Sequence, residues 1–187
     1  MKFGITVYDN AFSPEECEKY IDYIKKLQDR SLLFDGQLGS DRHQIDHQIY
    51  NFSHDYDLQA WSWLGESFFP GVKKCVAAYM DEYSIIKKQK YLFHDLKVKK
   101  IEPGGGFHNW HFENASLISA TRSIVVQLYL NTIDEGGETE FLYVNQRVNA
   151  VQGRVIVFPA GYVHTHRGNP PIGQTKYIGT TWGVMQG

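Results

Sequence analysis

Apolar residues recur at helical spacing through the first ninety positions and at strand spacing after them, so the chain reads as helices followed by sheet. Ser13-Pro14-Glu15-Glu16 opens the first helix. Ser13 is an N-cap, Pro14 fits a first turn where its missing N–H costs nothing, and Glu16 completes a capping box. Cys17, Tyr20, Ile21, Ile24 and Leu27 then fall on one face. Leu58, Trp61, Leu64 and Phe68 predict a second helix, broken at Pro70-Gly71, after which Val72, Val76, Tyr79, Met80 and Tyr83 carry the period on. Between the two helical patterns, residues 29–56 show no period. They hold Asp35-Gly36, Gly39-Ser40 and a polar stretch with His43, His47 and His54, which predicts a long loop of the kind that forms lids.

From residue 90 onward the period is that of strands. Runs are predicted over Tyr91 to Ile101, Phe107 to Glu113, Ser123 to Leu130, Glu138 to Tyr143, Arg154 to Phe158 and Lys176 to Val184, with Gly or Pro in nearly every gap. Helices first and six or more short strands after them give an α+β class, a sandwich or jelly roll with N-terminal helices packed on it. We expect one domain over 1–187, with 1–90 as helical support and 91–187 as the jelly-roll core. No Gly-rich loop opens a helix, which argues against nucleotide-binding α/β folds.

Composition narrows this further. Of 187 residues, 42% are hydrophobic and 14% aromatic, which excludes disorder. No apolar run reaches the roughly 18 residues of a membrane span, and Met1 to Tyr8 lacks the apolar core of a signal peptide, so a soluble cytoplasmic protein with no membrane partner is expected. A net charge of −2 lacks the electrostatic footprint of a nucleic-acid binder. Cys17 and Cys75 sit in separate helical patterns and read as buried free thiols. One charge run stands out, Lys87, Lys88, Lys90, Lys97, Lys99 and Lys100. Lys97 and Lys99 share a strand face, expected to be solvated or edge-protecting, with a polyanion contact as the alternative.

The chemistry concentrates after residue 107. In Phe107-His108-Asn109-Trp110-His111-Phe112-Glu113, strand alternation puts His111 and Glu113 on one side, able to give one imidazole nitrogen and one carboxylate oxygen to a single ion. Some fifty residues later comes His164-Thr165-His166. Two histidines and a carboxylate form the facial triad of non-haem Fe(II) enzymes, with positions left open for other ligands. Strand parity alone does not separate His164 from His166. Lys176 begins a strand ten residues on and could project a fixed cation near the metal, where it needs an anion to offset its burial.

These residues resemble the Fe(II)/2-oxoglutarate-dependent dioxygenases, and among them the prolyl 4-hydroxylase-like branch, over roughly residues 91–185. The match rests on His111-x-Glu113, Arg122 before Gln127-Leu128-Tyr129-Leu130-Asn131, the turn Gly136-Gly137-Glu138-Thr139-Glu140-Phe141, His166-Arg167-Gly168-Asn169-Pro170-Pro171, and Lys176-Tyr177 with Trp182. The resemblance implies a double-stranded β-helix, with iron held by His111, Glu113 and His166. It gives 2-oxoglutarate to the iron, Lys176 and Tyr129. Arg122 itself reads as a structural ion-pair partner. It also implies O2 as co-reactant, succinate and CO2 as co-products, and hydroxylation of a C–H bond, with ascorbate admitted as an accessory. Peptidyl proline is the substrate it suggests, with other peptide or protein side chains and small metabolites open. Residues 29–56 and the 131–140 turn are its candidate lids.

Two departures stand out: Glu113 where most members have Asp, and Ile101 where several have a tyrosine that touches the co-substrate. A rival pattern exists. Gly153, Pro159, Gly161 and His164 fit the second cupin motif, which would make His164 the ligand of a metalloenzyme that uses no 2-oxoglutarate. The His-x-Gly-x-Pro run and Lys176 favour His166 and leave the cupin reading as the alternative. Oligomeric state is not readable from these residues.

Overall fold

The structure, a computed structural model, describes residues 3–35, 44–51 and 67–186, and only the backbone of 34–35, 44–51 and His94. The expected helix through Leu58, Trp61 and Leu64 lies outside these residues, as do His43, His54 and the side chains of His47 and His94.

The first helix, α1, spans Pro14–Asp29 and starts as its sequence predicts. Glu16 N–H donates to Ser13 Oγ at 3.2 Å and Ser13 N–H donates to Glu16 Oε2 at 2.8 Å, a reciprocal cap of the kind that stabilises a helix by about 1 kcal/mol. The expected face, Cys17, Tyr20, Ile21, Ile24 and Leu27, is buried. The second helix, α2, spans Phe69–Glu82, and here the expected break at Pro70-Gly71 is a helix start instead. Pro70 occupies the first turn, where its lost donor is harmless, and Phe68 before it is already helical. Gly71 is required by packing: a Cβ there would lie 2.4 Å from the Phe12 ring.

Ten strands follow chain order as β1 Thr6–Tyr8, β2 Phe34–Asp35, β3 Gln44–Asn51, β4 Lys90–Phe107, β5 Arg122–Tyr129, β6 Thr139–Phe141, β7 Gln146–Val148, β8 Val155–Pro159, β9 His166–Gly168 and β10 Lys176–Gln186. Among the described residues they form a seven-stranded sheet, β1-β8-β5-β10-β4-β3-β2, and a three-stranded sheet, β7-β6-β9, paired antiparallel throughout. This is the jelly roll with helices packed on it. The first ninety residues are more than helical support, since β1, β2 and β3 extend the large sheet on both edges. The 29–56 segment, expected to be loop, contains β3, which pairs with β4 from Gln44↔Phe107 to Asn51↔Lys97.

Period-two alternation divides the core in two. Leu96, Val98, Ile124, Val126, Leu128, Val155 and Val157 face the helices and join Cys17, Ile24, Phe68 and Val76 in one buried cluster. The alternate residues Ile101, Val125, Tyr129, Ile156, Phe158, Ile178 and Trp182 face the small sheet and pack with Phe141 and Val148 in a second. Lys97 and Lys99 alternate with Leu96 and Val98, so they too point between the sheets. The expectation of a solvated or edge-protecting face fails there, because β3 covers the edge of β4 and the helices cover its other face. Both cysteines are free and buried.

Candidate active site

Between the sheets lies a cavity lined by His111, Glu113, His166, Lys99, Lys176, Gln127, Thr139 and Thr180 among others. Its mouth is set by a local departure from the expected strand over 107–113. β4 ends at Phe107, and the chain rejoins the sheet through a two-way bridge, His111 N–H to His166 carbonyl at 3.0 Å and His166 N–H to His111 carbonyl at 2.8 Å. Glu113 N–H donates to the Ala160 carbonyl at 3.0 Å as the chain enters a turn, and the His111 and Glu113 side chains still converge.

His111, Glu113 and His166 each offer a ligand atom, all within 4.8 Å of one another. Glu113 Oε1 lies 3.7 Å from His111 Nε2 and 3.6 Å from His166 Nε2. The remaining atoms of these groups are committed elsewhere. His111 Nδ1 pairs with the Asn109 carbonyl and His166 Nδ1 with the His164 carbonyl, both at 2.9 Å, which assigns each ring proton to Nδ1 and leaves each Nε2 as a lone pair. Glu113 Oε2 accepts from Trp182 Nε1 at 2.9 Å and from Arg122 at 3.1 Å. Arg122 stacks 3.9 Å from the Trp182 ring and reaches Asp95 at 3.7 Å, the ion-pair role expected of it. Burial alone would push the Glu113 carboxyl up, yet hydrogen bonds from the two imidazoles facing it, whose Nε2 protons a metal would displace, hold it well below the usual range. Two neutral nitrogens and one carboxylate oxygen therefore converge on one point, a donor set that fits a divalent iron and leaves half an octahedron free.

His164 stands apart from this cluster. It ends a 3₁₀ turn, Tyr162–His164, while His166 begins β9, so the two do not share the strand parity the sequence suggests. Its Nε2 lies 2.6 Å from the Phe3 carbonyl, and burial lowers its pKa. The ligand that the cupin alternative requires is thus spent on the N-terminal segment.

Lys176 is 2% exposed, and its Nζ donates to the Gly137 carbonyl at 2.6 Å. Burial pushes the ammonium down to about 7, with help from the nearby charge of Lys99, and the Lys99 ammonium is itself pushed down by burial to about 8. The turn that supplies the Gly137 carbonyl is pinned rather than lid-like: Gly137 N–H donates to Pro170, Asn131 bridges Thr175 and Tyr177, and Asp134 N–H donates to Gln174. Gly136 must lack a side chain, because a Cβ would meet the Pro170 carbonyl at 2.2 Å.

Tyr129 does not line the cavity. Its ring lies 5.5 Å below the Lys176 ammonium and its hydroxyl donates to Thr139 Oγ1 at 2.7 Å. Gln127 donates to the same oxygen at 2.8 Å. With both lone pairs engaged, the Thr139 proton is left for an acceptor in the cavity. Thr180 Oγ1, buried on the same walls, has no partner among the described residues. Gln127, Thr139, Thr180 and Lys99 were not singled out by the sequence for this site. The signal available was the inward parity of Gln127 with Tyr129 and of Thr180 with Lys176. Ile101, at the place of the absent tyrosine, lines the cavity with its apolar side chain.

Residues 96–183 match the model of the 2OG-Fe(II) oxygenase superfamily. No curated protein sequence matches the chain. Solved structures share its architecture, three of them as follows. The viral collagen prolyl hydroxylase of Paramecium bursaria Chlorella virus-1, in its 2OG complex, is 19% identical with TM-score 0.69, covering 96% of this chain and 95% of that one. A Pseudomonas putida prolyl-4-hydroxylase is 15% identical with TM-score 0.72, covering 99% and 94%. A Trichoplax adhaerens prolyl hydroxylase, in complex with a peptide fragment of the hypoxia inducible factor oxygen degradation domain, is 17% identical with TM-score 0.74, covering 97% and 84%. At these identities the likeness establishes the fold.

Proposed function

We propose that the chain, whose residues 96–183 match the 2OG-Fe(II) oxygenase superfamily, works as a dioxygenase with Fe(II), 2-oxoglutarate and O2, and we assign the residues that carry the reaction and its substrate. His111, Glu113 and His166 hold the iron. Lys176 and the Thr139 hydroxyl hold the distal carboxylate of 2-oxoglutarate. Tyr129 is a positioning residue, because its hydroxyl donates to Thr139 and its ring supports the Lys176 ammonium. The observation that carries this reading is the convergence of two Nε2 lone pairs and Glu113 Oε1, with every other polar atom of the three side chains already engaged.

The bound iron couples the oxidation of 2-oxoglutarate to succinate and CO2 with hydroxylation of a substrate C–H bond. The chain's own part is placement and exclusion of water: Ile101, Phe107 and Ile178 give the cavity apolar walls, while the cations fix the anionic co-substrate. Peptidyl proline is the substrate we favour. The solved relatives named above are prolyl hydroxylases, one of them holding a peptide. In this chain the loop after Glu113 presents Leu117 and Ile118 to solvent at 97% and 98% exposure, apolar side chains suited to a peptide partner. Trp110 stands at the rim with Arg167 4.3 Å over its ring. Among the described residues no helix is long and apolar enough to cross a membrane. Two free buried thiols support our reading of a reducing compartment, the cytoplasm.

Anaerobic addition of Fe(II) and then 2-oxoglutarate tests this reading. A visible charge-transfer band from the chelated keto acid is the expected result; iron binding with no band overturns it. A second expectation concerns the hold on Glu113. Trp182→Phe removes one of the two donors to Oε2 without removing a ligand, and should weaken Fe(II) binding about 10- to 100-fold, as outer hydrogen bonds to metal ligands commonly do. Competition with a colorimetric iron chelator measures it.

A further inference from the structure

Lys99 brings a second cation into the cavity, and the protein offers nothing to answer it. It stands on β4 opposite Ile178 of β10, on the same inward face as Ile101. Among the described residues it makes no hydrogen bond or ion pair; its Nζ lies 5.9 Å from the Phe107 ring. It lines the same cavity as Glu113 and Lys176, and the Phe107 ring beside its Nζ packs 4.1 Å from the His111 ring, which sets it toward the metal ligands. Glu113 cannot serve as its partner, because Oε2 is held by Arg122 and Trp182 and Oε1 faces the histidines. Thr180 Oγ1, 4% exposed and unpartnered, lines the same cavity.

Charge counting leads to the same place. With iron bound, the metal and the two lysines outweigh Glu113 by three charges, and the two carboxylates of 2-oxoglutarate offset two of them, one at Lys176 and the other at the metal end. A carboxylate near the metal is therefore the anion within reach of Lys99. We propose that Lys99 is a second carboxylate-binding residue of this cavity, taking a carboxylate at its iron end with the Thr180 hydroxyl beside it. This rests on the reading of the site as an iron and 2-oxoglutarate centre. The carboxylate has two possible sources, the end of 2-oxoglutarate nearest the metal or an acid group on the hydroxylated substrate.

The test uses the full chain as wild type, Lys99→Met and Lys99→Arg, loaded with Fe(II) without oxygen and titrated with 2-oxoglutarate while the visible band is followed. If the source is the co-substrate, Lys99→Met raises its dissociation constant at least tenfold, Lys99→Arg restores most of the affinity, and Fe(II) affinity is equal in all three. If 2-oxoglutarate binds wild type and Lys99→Met alike, acetate and free L-proline are added to the preformed complex; a shift of the band in wild type that Lys99→Met lacks assigns the carboxylate to the substrate. A thermal melt separates a ligand role from a structural one. Removing an unanswered cation should raise the melting temperature of the ligand-free protein while reducing the increase that the bound carboxylate produces. Equal affinities and equal band responses in wild type and Lys99→Met overturn the proposal. Absence of any band in wild type overturns instead the iron and 2-oxoglutarate reading beneath it.

Discussion

Glu113→Ala should abolish turnover and strip the protein of Fe(II). The substitution removes the only anionic ligand of the cluster and leaves two neutral imidazoles, so the loss of iron affinity should exceed the roughly 100-fold that an outer hydrogen bond can cost. It also leaves Arg122 and Trp182 aimed at a void, with Asp95 as the partner left to Arg122. Glu113→Asp separates charge from reach. The family's commoner residue keeps the carboxylate but shortens its arm by one methylene, and the donors on Oε2, fixed at 2.9 and 3.1 Å to the longer side chain, cannot both follow. We therefore expect Glu113→Asp to bind iron and turn over slowly, between wild type and Glu113→Ala. Iron content after anaerobic reconstitution and succinate formation measure both. Full activity in Glu113→Ala would place the metal elsewhere.

The sequence made these ligands visible for a local reason. His111 and Glu113 are two residues apart in extended chain, and alternation fixes their common side without knowledge of any other element. The α1 cap and the buried face of that helix were legible on the same ground. What escaped depends on contacts distant in sequence. Gln44–Asn51 is polar and without period, and is a strand because β4 offers it an edge. The strands β7 and β9 are three residues each, too short for a period to register. Alternation set Lys97 and Lys99 on one face of β4 but could not say that helices would cover the other face, which turns these lysines inward. His164 and His166 looked equivalent because parity assumes an unbroken strand, and a 3₁₀ turn ends between them. Trp182, 69 positions from Glu113, could be joined to it only by folding.

Lys176 carries the other large effect. In Lys176→Ala the distal carboxylate of 2-oxoglutarate keeps the Thr139 hydroxyl but loses its counter-charge in a buried site, which should cost about 2–5 kcal/mol of binding, or some 30- to several-thousand-fold in affinity. The pH dependence follows from the same burial. The ammonium is pushed from its ordinary value of 10.5 to about 7, chiefly by desolvation and then by Lys99, with Glu138 opposing. Below pH 7 folded and unfolded chains both carry the proton. Between about 7 and 10.5 only the unfolded chain does, so the ligand-free protein gains stability as pH rises through that window. Binding has the opposite sign. The dianion needs the charged lysine, so affinity for 2-oxoglutarate should be level below pH 7 and fall above it, with proton uptake on binding near pH 8. Calorimetry in two buffers of different ionisation heat measures that uptake, and Lys99, pushed to about 8, extends the fall to higher pH. Lys176→Arg, whose guanidinium stays charged, should shed its share of the uptake and retain affinity at pH 8 far better than Lys176→Ala. An unchanged dissociation constant in Lys176→Ala would remove this residue from the co-substrate site and leave its burial without a purpose in binding.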